Sequence, residues 1–373
     1  MTKLVSPHPP AVITLNISKA LPLDVAEITP AWLSEALGVE ITKAEVTKTM
    51  AGTATKYLLD VTYADPAAAE KLKLPNSICV KGGFDANMRA LGLDSAYRRE
   101  AEFFAYIAPE LHARNFLVPR ALHASTDTVN GQGIVIFEDL DAANYKFGEI
   151  TEPWTPELVA GGLEQLAGLH ALTWGKTVAD YPWIGDGNIL KTVAQSLFSP
   201  EYWQAQFYTD FRPAGVPEEI LDRERMYAAF LKMWRTENLK FRCMTHGDGH
   251  LGNTYISPEG QPGLIDFQAP SIGSAIDDLS YFIGGALTVE DRRKHEKELV
   301  QGYLNALHKS GGPKLSVEDV WFDYQKQHVH GFVWAMTAPM MQSKARVDAM
   351  TERYLAAMLD HDSIRLVEEF KEE

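Results

Sequence analysis

The hydrophobic pattern of the chain changes from that of strands to that of helices near Thr155. Before this residue the apolar runs are short and β-prone, as in SICVK and GIVIFEDL. After it, apolar residues recur at helical spacing, as at Leu158, Leu166 and Leu169, and further helical stretches follow with an interruption around 245–268. The pattern predicts an α+β protein in which a small antiparallel-sheet N-terminal lobe precedes a larger helical C-terminal lobe.

The length of the chain favours two lobes over one core, because 373 residues exceed the size at which a single hydrophobic core stops growing. We predict an N-terminal lobe over residues 1–136, a hinge over 137–142 and a helical C-terminal lobe over 143–373. The hydrophobic fraction of 46% and the charged fraction of 23% are typical of a packed soluble protein.

The formal net charge of −15 disfavours a general nucleic-acid binder, which needs an excess of positive charge. The two cysteines allow neither a disulfide framework nor a CxxC metal site. The first residues lack the long apolar stretch of a secretory signal, and the most apolar later run, YFIGGALTV, is too short to cross a membrane. We therefore expect a cytoplasmic protein that has neither nucleic acid nor membrane as a partner, with its oligomeric state open.

The most informative stretch of the sequence is MTHGDGHLGNTYISPEGQPGLIDFQ. The β-prone residues 254–256 and 264–265 flank the turn residues SPEGQPG, which predicts a hairpin that brings Asn253 and Asp266 together. An amide oxygen beside a carboxylate suits Mg²⁺. Asp248 lies in a glycine-flanked loop, where a substrate hydroxyl could approach and give its proton to the carboxylate.

The joint pattern HGDxHxxN, hairpin and IDFQ resembles the signature of the aminoglycoside phosphotransferase and choline kinase superfamily, which has a two-lobed protein-kinase-like fold. Together with the later DDLSYF, it is most similar to the ecdysteroid-kinase-like (CHK-kinase-like) branch. The resemblance implies that His246 shapes the loop, Asp248 is the base, Asn253 and Asp266 bind Mg²⁺, and Asp278 braces the loop from the following helix. It also implies that the N-terminal lobe binds ATP.

The residues at 249–252 depart from that branch and are closer to the loop of the aminoglycoside kinases. This mixture leaves the acceptor open. His250 either contacts phosphate or packs against the hairpin, since a lone histidine is weak evidence for one role. The stretch 170–177 ends like a Walker A loop but continues a helix, so we expect His170 to be a packing residue of that helix.

A lysine and a glutamate in the N-terminal lobe match the pair that holds the α- and β-phosphates in kinase-like folds. Lys81 ends the apolar strand SICVK. Tyr97, Phe104 and Ile107 form one stripe of the next helix, and Glu100 falls on the same stripe. Because an acid on an apolar face needs a partner, we predict a Lys81–Glu100 ion pair with a catalytic role.

Two further segments are assigned to the nucleotide by their position. The loop between the first two strands would cover the phosphates with the backbone of Gly52 and Thr53, although it lacks GxGxxG. The stretch Phe137–Leu140 resembles the hinge of the family, where backbone groups around Glu138 and Leu140 would bind adenine. Read without the resemblance, the two segments are a hairpin turn and a buried strand with an acidic exit.

The acceptor site is predicted in the helical lobe. The stretch HVHGFVWAMTAPMMQ is rich in methionine and aromatic residues, and Trp334 and Met340 are candidate pocket residues. We therefore expect an ATP- and Mg²⁺-dependent kinase of an apolar or amphipathic, steroid- or terpenoid-like alcohol. The alternatives are an aminoglycoside, macrolide or choline-type kinase and, in another class, an inactive nucleotide-binding regulator. A protein kinase is disfavoured because no HRD, DFG and APE series is present.

Overall fold

The computed structural model describes residues 20–371 except 91, 93, 185–188 and 211, and of residues 189–192 and 337–341 it describes only the backbone. The described part is a mixed α+β fold, as the hydrophobic pattern predicts, with strands concentrated before residue 139 and helices after residue 155. No helix in this part of the chain combines the length and the apolarity needed to span a bilayer.

The strands are β1 (Ile41–Met50), β2 (Thr55–Tyr63), β3 (Ser77–Gly82), β4 (Ala121–Asp127), β5 (Gln132–Glu138), β6 (Lys146–Phe147), β7 (Arg242–Thr245), β8 (Thr254–Ile256), β9 (Pro262–Leu264) and β10 (Ser271–Ser274). The α-helices are α1 (Pro30–Leu37), α2 (Pro66–Lys71), α3 (Ala86–Ala90), α4 (Asp94–Tyr106), α5 (Ala108–Ala113), α6 (Pro156–Thr173), α7 (Ile189–Leu197), α8 (Pro200–Phe207), α9 (Arg223–Arg235), α10 (Ala275–Ala286), α11 (Val289–Lys309), α12 (Val317–Met341), α13 (Lys344–Asp360) and α14 (Ser363–Glu369).

The described residues divide into two compact units. The first unit runs to Lys146 and takes in Ile256–Gly260 and Leu264–Ala269. The second unit comprises Phe147–Tyr255, Gln261–Gly263 and the chain from Pro270. The lobe and hinge boundaries drawn from the sequence stay predictions.

The first unit is built on a five-stranded antiparallel sheet in the order β1-β2-β3-β5-β4. Alternate residues of the two central strands, Ile78 and Val80 in β3 and Ile134 and Ile136 in β5, are completely buried in one core cluster. Because side chains alternate across a strand, Lys81 points to the face opposite Ile78 and Val80. This is the alternation that the SICVK pattern predicts.

The helix that contains Tyr97 and Glu100 is α4, and a second helix follows it almost at once. Helix α4 ends at Tyr106 and α5 begins at Ala108. Pro109 lies in the first turn of α5, where the missing N–H of proline removes no helical hydrogen bond and its fixed φ suits the helix.

The second unit is mainly helical, and two of its short strands, β7 and β8, flank the loop 246–253. Strands β7 and β10 are antiparallel partners, with Thr245 opposite Ser271. The predicted hairpin is present as β8 and β9, but its second strand begins at Pro262, inside the predicted turn, and a side chain at Gly263 would collide with the ring of Tyr255. The loop 246–253 therefore joins β7 to β8, and α10, capped by the Ser274 side chain, starts close behind it.

Candidate active site

The first unit contains a buried ion pair between β3 and α4. Lys81 Nζ lies 2.7 Å from Glu100 Oε1, and each side chain is only 4% exposed. The structure thus brings together the two residues that the sequence pairs. Two charges withdrawn from water need close partners, which is why Glu100 occupies the inward stripe of α4.

Asp266 is a third member of this group. Its Oδ1 lies 3.0 Å from Lys81 Nζ, and its side chain is 22% exposed. Burial alone would lower the pKa of Lys81, but the carboxylates of Asp266 and Glu100 outweigh burial and raise it above the ordinary lysine value. Lys81 is therefore fully charged at neutral pH and holds two carboxylates of unequal exposure.

Asp266 has a left-handed backbone conformation, with φ of 65°. This conformation costs a residue with a side chain about 1 kcal/mol. The next residue, Phe267, stacks on Phe103 of α4 with ring centroids 3.9 Å apart and planes 8° apart. The stacking holds the chain beside Asp266, so α4 positions both Glu100 and Asp266.

The same helix also contacts the loop between β1 and β2. The Tyr97 hydroxyl donates a hydrogen bond of 2.9 Å to the carbonyl oxygen of Thr53. Gly83 allows this packing, because a Cβ at that position would lie 2.3 Å from the Tyr97 ring. Gly52 and Thr53, assigned to the phosphates by position, thus lie in a loop that α4 anchors.

The predicted hinge is ordered by a carboxylate that the sequence analysis did not select. Asp139 accepts hydrogen bonds from the Ser77 hydroxyl at 2.9 Å and from the backbone N–H groups of Asp141 at 3.0 Å and Ala142 at 3.3 Å. Glu138 and Leu140, the two predicted adenine contacts, flank it and are both half-buried. An acid directly after a buried strand is the signal that could have identified this turn.

In the second unit, Asp278 holds the start of the loop that contains Asp248. Its carboxylate accepts hydrogen bonds from the backbone N–H of His246 at 2.6 Å and of Gly247 at 3.0 Å. Burial alone would raise the pKa of Asp278, but the hydrogen bond and charge of His170, with further contributions from His246 and Gly247, lower it. The carboxylate thus hydrogen-bonds the start of the loop from α10, and the bracing role that the resemblance implies for Asp278 stays a prediction.

His170 connects this carboxylate to the helical core, a contact that the packing assignment missed. Its Nε2 lies 3.0 Å from Asp278 Oδ2, its Nδ1 lies 2.7 Å from the Tyr303 hydroxyl, and the residue is fully buried. Nε2 donates a hydrogen bond to the Asp278 carboxylate, and Nδ1 forms a hydrogen bond with the Tyr303 hydroxyl. The available sequence signal was a polar ring on the apolar face of LAGLHA, which requires partners.

Asp248 and Asn253 are joined within the loop. Asn253 Nδ2 donates to the Asp248 backbone carbonyl at 2.9 Å and to Asp248 Oδ2 at 3.1 Å. The amide nitrogen therefore faces Asp248, and the amide oxygen is the atom of Asn253 that could bind a cation. The Asp248 side chain is 33% exposed, enough for a substrate group to reach it.

His250 has a local role in the same loop. Its Nδ1 accepts the N–H of Gly252 at 3.0 Å and caps the short 3₁₀ turn Leu251–Asn253, while its Nε2 lies 3.8 Å from Asp248 Oδ1. The ring also meets the edge of Tyr281, with centroids 6.3 Å apart. These contacts favour the alternative in which His250 is a packing residue. It packs against its own loop and α10, however, and not against the hairpin.

The predicted Mg²⁺ ligands Asn253 and Asp266 belong to different compact units, and their pairing stays a prediction. Each residue fits the ion by its chemistry. Asp266 offers carboxylate oxygens, and the hydrogen bonds of Asn253 Nδ2 leave its amide oxygen as the ligand atom.

The candidate acceptor residues are only partly described. Trp334 is half-buried and packs against a hydrophobic core cluster of the second unit. Met340 lies in α12, but its side chain is outside the described residues. In α8, Trp203 and Phe207 are buried members of the same core cluster, 3% and 1% exposed.

A cavity of about 20 Å³ lies behind the loop and is lined in part by Glu237, Thr245, Asp277 and His330. It has room for one water molecule and is far too small for an acceptor. Burial, with the nearby Glu237 carboxylate, raises the pKa of Asp277 well above its usual value. The pKa values of the adjacent residues Asp277 and Asp278 are therefore shifted in opposite directions.

One group of histidine and carboxylate atoms in the described part of the chain is close enough to hold a metal, namely Glu296, His328 and His361. Glu296 Oε2 already accepts hydrogen bonds from Arg292 at 2.9 Å, Tyr324 at 3.2 Å and His361 at 3.0 Å. The buried guanidinium of Arg292 would repel a divalent cation at this position. These contacts are typical of a network that ties helices together, not of a metal centre.

The model of the phosphotransferase enzyme family (APH) matches residues 92–317, more than half of the chain. The comparison with curated proteins found no match.

Among solved structures, an amicoumacin kinase in complex with AMP-PNP, Ca²⁺ and Ami is 15% identical, with a TM-score of 0.51 over 90% of this chain and 94% of that one. Choline kinase from Streptococcus pneumoniae is 14% identical, with a TM-score of 0.47 over 88% and 98%. Macrolide 2′-phosphotransferase from Brachybacterium faecium is 13% identical, with a TM-score of 0.45 over 86% and 96%. At 15% identity, the similarity to the amicoumacin kinase supports the fold alone. The family match shows that the chain belongs to the phosphotransferase enzyme family and is a phosphotransferase that acts on hydroxyl groups.

Proposed function

We propose that this phosphotransferase transfers the γ-phosphate of ATP to a hydroxyl of a small apolar or amphipathic molecule, such as a steroid- or terpenoid-like alcohol. The observation that supports the proposal most directly is the buried group Lys81–Glu100–Asp266. A lysine fixed by one buried carboxylate, beside a second and more exposed one, is suited to binding phosphate and its counterion together.

ATP is the proposed donor because the site has the charges that a triphosphate requires. Lys81 would hold the α- and β-phosphates, and the backbone of Gly52 and Thr53 would cover them. Glu138 and Leu140 would present backbone groups to adenine. The amicoumacin kinase of similar fold was solved with AMP-PNP, which is consistent with this choice.

The residues proposed to hold Mg²⁺ are Asn253 and Asp266. When bound, this ion would neutralise charge on the transferring phosphate. The positions of the two donors are supported by other residues of the chain. Asn253 is oriented by its hydrogen bonds to Asp248, and Asp266 is oriented by Lys81 and by the stacking of Phe267.

Asp248 is proposed to receive the acceptor hydroxyl. Its carboxylate would accept the hydroxyl proton and align the oxygen with the phosphate. The loop is well suited to this task, because Asp278 fixes its start at His246 and Gly247 and Asn253 fixes Asp248 itself. A base held from both sides loses little entropy when the substrate binds.

The apolar acceptor class rests on the similarity of the IDFQ and DDLSYF motifs to the ecdysteroid-kinase-like branch and on the partly buried Trp334. The amicoumacin kinase and the choline and macrolide enzymes act on other molecules, so an antibiotic or choline acceptor is the first alternative. A cytoplasmic location, where ATP is available, is part of the proposal.

The proposal is tested by incubating the protein with Mg²⁺ and ATP against a matched acceptor panel. The panel contains sterol and terpenoid alcohols, choline, aminoglycosides and macrolides, and mass spectrometry measures the phosphorylated product. We expect product from an apolar alcohol. If only cationic acceptors gave product, the proposed apolar acceptor would be wrong and a choline or antibiotic acceptor would replace it. If ATP bound but no acceptor gave product, the inactive nucleotide-binding regulator would be favoured.

A further inference from the structure

A second lysine lies beside Lys81 in the sheet of the first unit. Lys56 in β2 and Lys81 in β3 are direct Cα partners in the antiparallel register. Directly opposed residues have their side chains on the same face of a sheet, with Cβ atoms about 5 Å apart. Two ammonium groups so placed repel each other unless anions lie between them or bind to them.

The two lysines differ in how far their charges are already neutralised. Lys81 is 4% exposed and contacts both Glu100 and Asp266. Lys56 is 31% exposed, and its Nζ lies 4.0 Å from Asp266 Oδ2, beyond hydrogen-bond distance. The Asp266 carboxylate thus has one tightly bound ammonium and one looser and more accessible ammonium.

The register also shows which part of a nucleotide Lys56 would meet. In β3, Ile78 is the partner of Glu138 at the predicted hinge, and Lys81 is three residues further along the strand. At about 3.3 Å per residue, this places Lys81 and its partner Lys56 roughly 10 Å from the hinge. Lys56 also follows directly on the loop with Gly52 and Thr53. Its position is therefore that of phosphates and not that of adenine.

We propose that Lys56 is a second phosphate-binding lysine, which contacts the outer phosphates of the nucleotide while Lys81 holds the inner ones. The inference rests on the proposed use of ATP. Since Lys81 is already bound to two carboxylates, the more exposed Lys56 is the ammonium with freedom to follow the terminal phosphate. Because its Nζ lies 4.0 Å from Asp266 Oδ2, Lys56 would contact the phosphates next to this proposed metal ligand.

The test compares affinities for Mg·ATP, Mg·ADP and AMP, measured by calorimetry on the wild type, Lys56→Ala and Lys56→Arg. The matched control is Lys43→Ala, which removes an exposed lysine of the neighbouring strand β1 that pairs with Glu45. We expect Lys56→Ala to weaken ATP about tenfold and AMP less than about twofold, because charge-assisted contacts to phosphate are strong. Lys56→Arg should keep most of the ATP affinity, and Lys43→Ala should match the wild type.

Three results would overturn the proposal. Equal ATP affinity in Lys56→Ala and wild type would make Lys56 a surface charge whose pair with Asp266 contributes little. Equal weakening of ATP and AMP would indicate a general distortion of the site and not the loss of a contact to the outer phosphates. A wild type that binds no nucleotide would reject the proposed use of ATP itself, and is thereby distinguished from the first two results.

Discussion

The two units hold their buried charges in different ways. In the first unit, Lys81 bonds two carboxylates, and one of them, Asp266, remains 22% exposed. In the second unit, Asp278 is 2% exposed, and His170 and the loop backbone occupy its oxygens. In the first arrangement a partly exposed carboxylate can still bind a ligand. In the second, the carboxylate oxygens bond His170 and the loop backbone and thereby fix the conformation of the loop. Substitutions in the first should therefore affect binding, and those in the second should affect stability.

The largest expected effect is on the Lys81–Glu100 pair. Lys81→Ala should lower turnover on the order of 10²-fold, because the electrostatic contact that holds the α- and β-phosphates is lost. Glu100→Ala should lower it less, and the double variant should lose less than the sum, since both residues act on one phosphate contact. Steady-state kinetics on the four proteins measure this cycle, with Lys43→Ala as a surface control. Full additivity would reject the pairing.

Asp278→Asn should act mainly on stability. Replacing a buried carboxylate that holds two backbone N–H groups and His170 should lower the free energy of unfolding by about 3 kcal/mol at pH 7. Urea unfolding measures this change, and Asp60→Asn, which changes an exposed carboxylate of β2, is the control. A wild-type unfolding curve for Asp278→Asn would show that the carboxylate does not hold the loop.

His170 offers a smaller effect with a defined pH dependence. The folded-state pKa of Asp278 is lowered, so its stabilising contribution is present above the unfolded pKa and is lost as the pH falls through the folded pKa. His170→Phe removes the largest factor that lowers this pKa. Its stability deficit against wild type should therefore be larger at pH 7 than at pH 3, which lies below the ordinary pKa of an aspartate, and urea unfolding measures both.

The matched variant His170→Gln keeps a donor toward Asp278 and should recover part of the deficit at pH 7. His295→Ala changes a partly exposed histidine of α11 and should leave the pH profile unchanged. A deficit of His170→Phe that is the same at both pH values would assign the residue to packing, as the sequence analysis did.

The smallest expected effect is that of replacing Asp266, the more exposed of the two carboxylates that contact Lys81. Asp266→Ala should remove most of the Mg²⁺ dependence of the melting-temperature rise caused by ATP, because a ligand that binds only the folded state stabilises it by mass action. Differential scanning fluorimetry with and without Mg²⁺ measures this shift. A variant with the wild-type Mg²⁺ dependence would reject Asp266 as a ligand.

Local patterns predicted much of the fold and of the first unit's site. The stripe that includes Tyr97 and Glu100 is visible within one helix, and the alternation around Lys81 is visible within one strand. The role of His170 was not visible, because its partners Asp278 and Tyr303 lie 108 and 133 residues away in the sequence. Contacts over such distances depend on helix packing, which periodicity does not specify.

The remaining differences have local causes. Strands β7 and β10 have four residues each, too few for a recognisable alternation. Pro109 is compatible both with the end of one helix and with the start of the next, and only the bend at Ile107 distinguishes the two. The acceptor was not specified, because Trp334 packs partly on the core and the side chain of Met340 lies outside the described residues.

The central claim is that Asp248 acts on the acceptor hydroxyl and not on the nucleotide. The most direct measurement is Mg·ATP affinity by calorimetry beside phosphorylated product by mass spectrometry, for wild type and Asp248→Asn. Positioning and proton acceptance act mostly in the transition state, so their loss should reduce turnover. We predict that Asp248→Asn folds, binds Mg·ATP within a few-fold of wild type, and loses on the order of 10²-fold or more in turnover. Turnover close to that of wild type would contradict the mechanism.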